Sequence, residues 1–300
     1  MSLSVFPCRL AAALSVSLAL PLIAAPAVAA KNTDATPEQR AAALVAQMSR
    51  EEKVAQAMND APAIPRLGIP AYEWWSEGLH GIARNGYATV FPQAIGLAAS
   101  WNTRLMQQVG TVVSTEARAK FNQAGGPGKD HKRYAGLTIW SPNINIFRDP
   151  RWGRGMETYG EDPFLTGQMA VGFIRGLQGE DLNHPRTIAT PKHIAVHSGP
   201  EPGRHGFDVD VSPRDVEATY TPAFRAAIVE GQAGSVMCAY NSLHGTPACA
   251  ADWLLNGRVR GDWGFKGFVV SDCDAVDDMT QFHYFRPDNA GSSAAALKAG

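Results

Sequence analysis

The sequence predicts an α/β fold, a TIM-type (β/α)8 barrel cut short at its C-terminal side, and three observations carry that prediction. Segments with helical apolar spacing alternate with short apolar runs, the pattern of strand–helix units. Each apolar run ends in polar or charged residues, so every strand delivers its polar groups at the same end, as barrels do. No G-x-G-x-x-G or P-loop pattern occurs, whereas an open dinucleotide-binding sheet concentrates its signal in one Gly-rich turn. The 300 residues are 45% hydrophobic, with seven Trp and twelve Phe, enough for one large core. A formal net charge of -1 with 18% charged residues and no Lys/Arg-rich run argues against a nucleic-acid partner and for a neutral one.

Taken in order, Arg9 precedes the apolar stretch from Leu10 to Ala24, followed by Pro26 and Ala27-Val28-Ala29-Ala30. This is the layout of a secretory signal with an A-x-A cleavage site, expected over residues 1–29. The apolar part is shorter than the roughly 20 residues that a spanning helix needs, so no membrane association is expected after cleavage and the protein is expected to be secreted or periplasmic. Cys8 would leave with the signal, and Cys238, Cys249 and Cys273 remain. Cys238 and Cys249 lie close enough in sequence to bridge, but the expectation is two small packed hydrophobes.

Residues 30–300 are expected to form one incomplete barrel domain. Helices are predicted over Asn102 to Phe121, over Pro163 to Leu177 with proline in the first turn, and over Pro213 to Glu230 after the Ser212-x-x-Asp215 capping pattern. Strands are predicted at Leu137 to Trp140, Thr187 to Thr190, Ser235 to Cys238 and Phe268 to Val270. The chain closes on an alanine-rich helix at Ala294 to Gly300, leaving room for one helical segment after Asp272. A closed barrel needs more strands, so the protein is expected to continue beyond Gly300.

The strand ends carry the chemistry. Asp272 directly follows the run Phe268-Val269-Val270-Ser271, where a carboxylate suits a nucleophile, whereas Asp274, Asp277 and Asp278 suit helix capping. Lys192-His193 closes another strand and sets a cationic donor beside an imidazole, a pair able to hold neighbouring hydroxyls. His193 and His197 have i, i+4 spacing, but no H-E-x-x-H pattern occurs and no third ligand is placed by the sequence, so no metal is expected. The segment Arg148 to Gly155 gathers arginines around Trp152, and at least one of them is expected to be structural. Tyr72 to Gly81 mixes aromatic faces with the carboxylates of Glu73 and Glu77, the ingredients for gripping a sugar.

The stretches E-W-W-S-E-G-L-H-G, S-P-N-I-N-I-F-R-D-P-R-W-G-R-G-M-E-T-Y-G-E-D-P, P-K-H-I-A-V-H-S-G-P-E, V-M-C-A-Y-N and G-F-V-V-S-D-C-D together resemble glycoside hydrolase family 3, in its two-domain β-xylosidase and β-glucosidase branch. The resemblance implies a retaining exo-β-glycosidase that releases terminal β-D-xylose or β-D-glucose from small neutral oligosaccharides, with no cofactor. It implies that Asp272 is the nucleophile, that Arg154, Lys192 and His193 bind the sugar, and that Tyr240 supports the nucleophile. It also implies that Glu77 grips the distal hydroxyls. Relatives acting on glucose more often carry Asp there, and one extra methylene favours a pentose by about 1–3 kcal/mol. Cys273, standing where many members have Trp, leans the same way. The acid/base of this branch is a glutamate on an α/β sandwich domain that follows the barrel, and Glu157, Glu161 and Glu201 do not match its position. Two rivals are weighed: the N-acetylhexosaminidase branch, whose K-H-F-P-G-H-G and D-S-H motifs are lacking, and a non-catalytic sugar-binding barrel.

Overall fold

The structure, a computed structural model, describes residues 35–300. The expected signal peptide therefore lies outside the described residues. The chain divides into two units, residues 1–46 and 47–300. Near the start, the helix Pro37–Gln47 is capped reciprocally: Gln39 N–H donates to Thr36 Oγ1 at 3.3 Å and Thr36 N–H donates to Gln39 Oε1 at 2.9 Å. The second unit holds everything described below.

Apart from two short antiparallel pairs, Asp60–Ala61 with Tyr72–Glu73 and Ser242–Leu243 with Thr246–Pro247, the strands that carry the site run parallel and lie beside one another in chain order. Ser76 bridges Ile139, Thr138–Ile139 pairs with Ile188–Ala189, and Asn143 bridges Lys192, all in parallel. Lys192–Ile194 pairs with Ser235–Cys238, which pairs with Phe268–Ser271. The order never reverses, so no doubly wound switch point exists among these strands. The α/β class is thus observed. The eight-stranded closed barrel is not: among the described residues no hydrogen-bonded ladder joins the first of these segments to the last, although the Trp74 and Phe268 rings approach to 5.2 Å. Among the described residues too few strands are present to complete the circle.

The helices show which local signals held. Thr103–Gln123 begins where Asn102 Oδ1 accepts from Leu105 N–H at 3.0 Å, and Pro163–Gln178 begins where Asp162 accepts from Leu165 N–H at 2.6 Å. These two helices pack at very short range. A Cβ on Gly110 would sit 2.4 Å from the Phe173 carbonyl oxygen, and one on Gly176 would sit 2.2 Å from that of Gln107. Only glycine permits that approach, which Ser114 Oγ uses to donate to the Gly176 carbonyl at 3.0 Å.

Two expectations need correction here. The single helix expected from Pro213 to Glu230 is instead Pro213–Asp215, a π-helical turn over Val216–Tyr220 and a second helix over Pro222–Val229. Pro222 has no N–H for the ladder, and its ring excludes the preceding turn's carbonyl, so the helix breaks and restarts on it. The start survived as expected, with Ser212 Oγ accepting from Asp215 N–H at 3.1 Å. After Asp272 there are two helices rather than one, Ala275–Gln281 and Asn289–Ala299, the second opened by Asp288 accepting from Gly291 N–H at 2.7 Å. The core gathers Phe173, Phe224, Met169, Ile174 and Leu177, all buried, beneath the parallel strands.

Candidate active site

Asp272 follows the Phe268–Ser271 strand, and its N–H still donates to the Cys238 carbonyl at 3.1 Å, continuing the ladder by one residue. Asp274 then adopts φ 62 and turns the chain into the next helix, so the carboxylate is held at the lip of the strand. It is 6% exposed. Cys273 N–H donates to Oδ1 at 2.8 Å, leaving Oδ2 to face the hollow. There His193 Nε2 lies at 3.2 Å and Arg154 Nη1 at 3.6 Å. Burial raises the Asp272 pKa above the ordinary carboxylate value, opposed by Arg154, Lys192, the Cys273 N–H and the Tyr240 hydroxyl. Burial and the adjoining carboxylate also push the Tyr240 pKa up, well above its usual value, so the phenol keeps its proton and can donate it.

Lys192 and His193 are neighbours in sequence, and a regular strand would send them to opposite faces. The pairing with Ser235–Cys238 shifts register between Lys192 and Ile194, and this irregularity lets both reach the hollow. Lys192, 3% exposed, is no ordinary surface charge: its Nζ lies 3.6 Å from Glu77 Oε2. Glu77 Oε1 accepts from Trp75 Nε1 at 2.7 Å, so that carboxylate is clamped from two sides. Trp75 in turn stacks on Trp140 at 5.3 Å.

Arg154 is the arginine of its segment that serves the site, while Arg151 pairs with Asp149 at the surface at 2.7 Å. Glu157 receives two parallel hydrogen bonds from Arg154, from Nε and Nη2, both at 2.9 Å, and a third from Asn143 Nδ2 at 3.2 Å. Burial by itself would raise the Glu157 pKa, but Arg154 and Lys192 outweigh it and hold the group ionised. The fork fixes which nitrogen of Arg154 is left to face Asp272.

Several residues of the site escaped the sequence reading. Asn145 locks His193: its Nδ2 donates to the His193 carbonyl at 2.8 Å, leaving Oδ1 to accept from the His193 backbone N–H at 2.9 Å and from ring Nδ1–H at 2.8 Å. Asn143 and Asn145 alternate with the buried Ile144 and Ile146, a period-two pattern that could have shown that both asparagines face one side. His205, whose Nδ1 lies 2.7 Å from Asp278 Oδ2, sets its ring 4.4 Å from that of Tyr240. His283 donates from Nε2 to the Tyr240 carbonyl at 2.7 Å. Cys238 and Cys249 form a disulfide, against the expectation of two free packed thiols. The bridge ties the end of the Ser235–Cys238 strand to the short helix Ala248–Ala250 and so braces the loop that carries Tyr240 and Asn241. Their separation of 11 residues made bridging possible, but only the return of the loop brought the two thiols together.

All six residues singled out from the sequence, Asp272, Arg154, Lys192, His193, Tyr240 and Glu77, therefore gather in one hollow at the strand ends. The arrangement offers a buried carboxylate with one free oxygen, a phenol beside it and fixed donors around it, the equipment to attack an electrophilic carbon flanked by hydroxyls.

Comparison with known proteins agrees with that geometry. Residues 39–300 match the model of the glycosyl hydrolase family 3 N terminal domain. A xylan 1,4-β-xylosidase of Xylanibacter ruminicola is 45% identical over 274 residues, covering 90% of this chain and 32% of that protein. A probable β-D-xylosidase 7 of Arabidopsis thaliana is 43% identical, covering 90% and 37%. Among solved structures, a family 3 exo-β-xylosidase, XlnD, in complex with a xylobiose aziridine activity-based probe superposes with a TM-score of 0.83 at 37% identity, over 90% of this chain and 36% of that one. A β-glucosidase of Erythrobacter marinus superposes at 0.68 with 33% identity, over 89% and 32%. The chain thus spans about a third of the length of the relatives it matches. With the family model matched over nearly all the described residues, the chain belongs to glycosyl hydrolase family 3, through that family's N terminal domain.

Proposed function

We propose that this chain is the nucleophile-bearing part of a retaining exo-β-glycosidase that removes terminal β-D-xylose from short, neutral oligosaccharides. The observation that carries the reading is the free Oδ2 of buried Asp272, ringed by His193 and Arg154 with Tyr240 alongside. In the first step Asp272 Oδ2 attacks the anomeric carbon and the glycosidic bond breaks, giving a covalent glycosyl-enzyme; in the second, water attacks the same carbon and frees the carboxylate. Lys192, His193, Arg154 and Glu77 hold the sugar hydroxyls. Glu157 and Glu77 are each engaged by a cation within the site, so neither is free to protonate a leaving group. The acid/base is proposed to come from the part of the relatives' length that this chain does not span, the α/β sandwich of the two-domain branch. We read the parallel segments as part of a TIM-type barrel, because their order follows the chain without reversal. Secretion or a periplasmic location is supported by the N-terminal pattern and by the disulfide.

Xylose is preferred over glucose in this reading because the first relatives are xylosidases and because Glu77 is clamped where a longer carboxylate narrows the pocket. The test uses 2-deoxy-2-fluoro-β-D-xylosyl fluoride, whose fluoride leaves without protonation, so no general acid is needed. The chain should gain a fluoroxylosyl adduct on the peptide holding Asp272, faster than with the fluoroglucosyl reagent, and Asp272→Asn should gain none. An adduct on another carboxylate, or no adduct on the folded chain, would remove Asp272 from the nucleophile's role.

A further inference from the structure

We propose that His193, His197 and Asp272 form a binding site for a borderline divalent cation, Zn2+ or a similar ion, in which the metal occupies the free face of the carboxylate. One ligand atom from each of the three lies within 4.8 Å of the others, and all three residues are buried. The sequence spacing of His193 and His197 lacked a third ligand, and the fold supplies it from a residue distant in the chain. Two imidazoles and a carboxylate, with the fourth direction open to the hollow, match the donor set of open zinc sites.

His193 Nε2, both ring nitrogens of His197 and Asp272 Oδ2 are all buried without a hydrogen-bond partner of good geometry. Such orphaned polar atoms are costly unless something satisfies them. Asn145 Oδ1 takes the Nδ1 proton of His193, so the neutral ring presents a lone pair at Nε2, 3.2 Å from the lone pairs of Asp272 Oδ2. Two acceptors at that distance call for a positive centre between them.

Charge also favours a cation. Lys192 faces Glu77, and Arg154, the one arginine paired with Asp272, is already held at shorter range by the Glu157 fork, so the Asp272 charge is only partly offset. The nearest opposition is Arg154 Nη1 at 3.6 Å, a like charge that weakens the hold on a bound cation. Given the glycosidase reading above, the bound ion covers the nucleophile and acts as an inhibitor, not as a cofactor.

Binding is measured without sugar, so its outcome is independent of whether that reading stands. Chelator-treated, untagged protein is dialysed against Zn2+, and bound metal is counted by atomic emission, with Co2+ absorption reporting nitrogen coordination. One ion per chain is expected. His197→Gln, Asp272→Asn and Asn145→Ala should each weaken binding by about ten- to hundredfold, and Cys273→Ser should leave it unchanged. Should His197→Gln misfold, Asp272→Asn, which replaces a single oxygen, decides. No bound zinc at millimolar concentration, affinity indifferent to Asp272→Asn, or affinity lost in Cys273→Ser would each overturn the proposal.

Discussion

Glu157 is the residue whose role changed most between sequence and structure. Read along the chain, it is one of three glutamates that do not match the acid/base position of the resembled branch; in the fold it is the anchor of Arg154. Two parallel charge-assisted hydrogen bonds and a third from Asn143 leave Arg154 no freedom except at Nη1. Glu157→Gln keeps the volume but lets the guanidinium turn. The loss should amount to about 1.5–3 kcal/mol, read as a fall of about ten- to hundredfold in kcat/KM for an aryl β-xyloside. The measurement is made on a polypeptide of the relatives' full length. An unchanged kcat/KM would mean that Arg154 holds its position without the fork. His197 shows the same dependence on tertiary context: its spacing from His193 is visible in the sequence, but its contact with Trp152, Phe207 and Tyr240 is not.

Among the elements, the pairing of Thr103–Gln123 with Pro163–Gln178 sets the platform under the strands. Its closeness depends on Gly110, Gly172 and Gly176, each facing backbone of the other helix. Gly176→Ala should destabilise the protein by about 1–3 kcal/mol through overpacking, outweighing the gain in helix propensity of about 1 kcal/mol. Urea unfolding at constant m-value checks this, and a stabilised variant would show that the helices separate at no cost. The two helices were legible because caps and apolar spacing act locally. The Pro213 to Glu230 segment was misjudged although Pro222 stood in plain view: its apolar spacing continues across the proline, while the backbone ladder cannot.

For the whole molecule, the disulfide and the unclosed strand set matter most. The Cys238–Cys249 bridge closes a loop of 11 residues around the Tyr240 segment. Its removal in Cys238→Ala/Cys249→Ala should cost about 2–4 kcal/mol, seen as a lower urea midpoint. Dithiothreitol should lower the midpoint of the wild-type chain and not that of the double variant. Equal response of both would show that the bridge does not form in solution.

By itself the sequence determined the α/β class, the polar strand ends and the six residues that meet in the hollow. These depend on short-range pattern and on motifs whose spacing is written along the chain. Only the tertiary structure decided which groups complete the site: Asn145 on His193, Glu157 on Arg154, the Cys238–Cys249 bridge and the meeting of His193, His197 and Asp272. Each joins groups through a loop or across strands, where position depends on how the backbone returns rather than on what it is made of. The register shift at Lys192–Ile194 is the clearest instance, since period-two alternation puts Lys192 and His193 on opposite faces and the fold turns both inward.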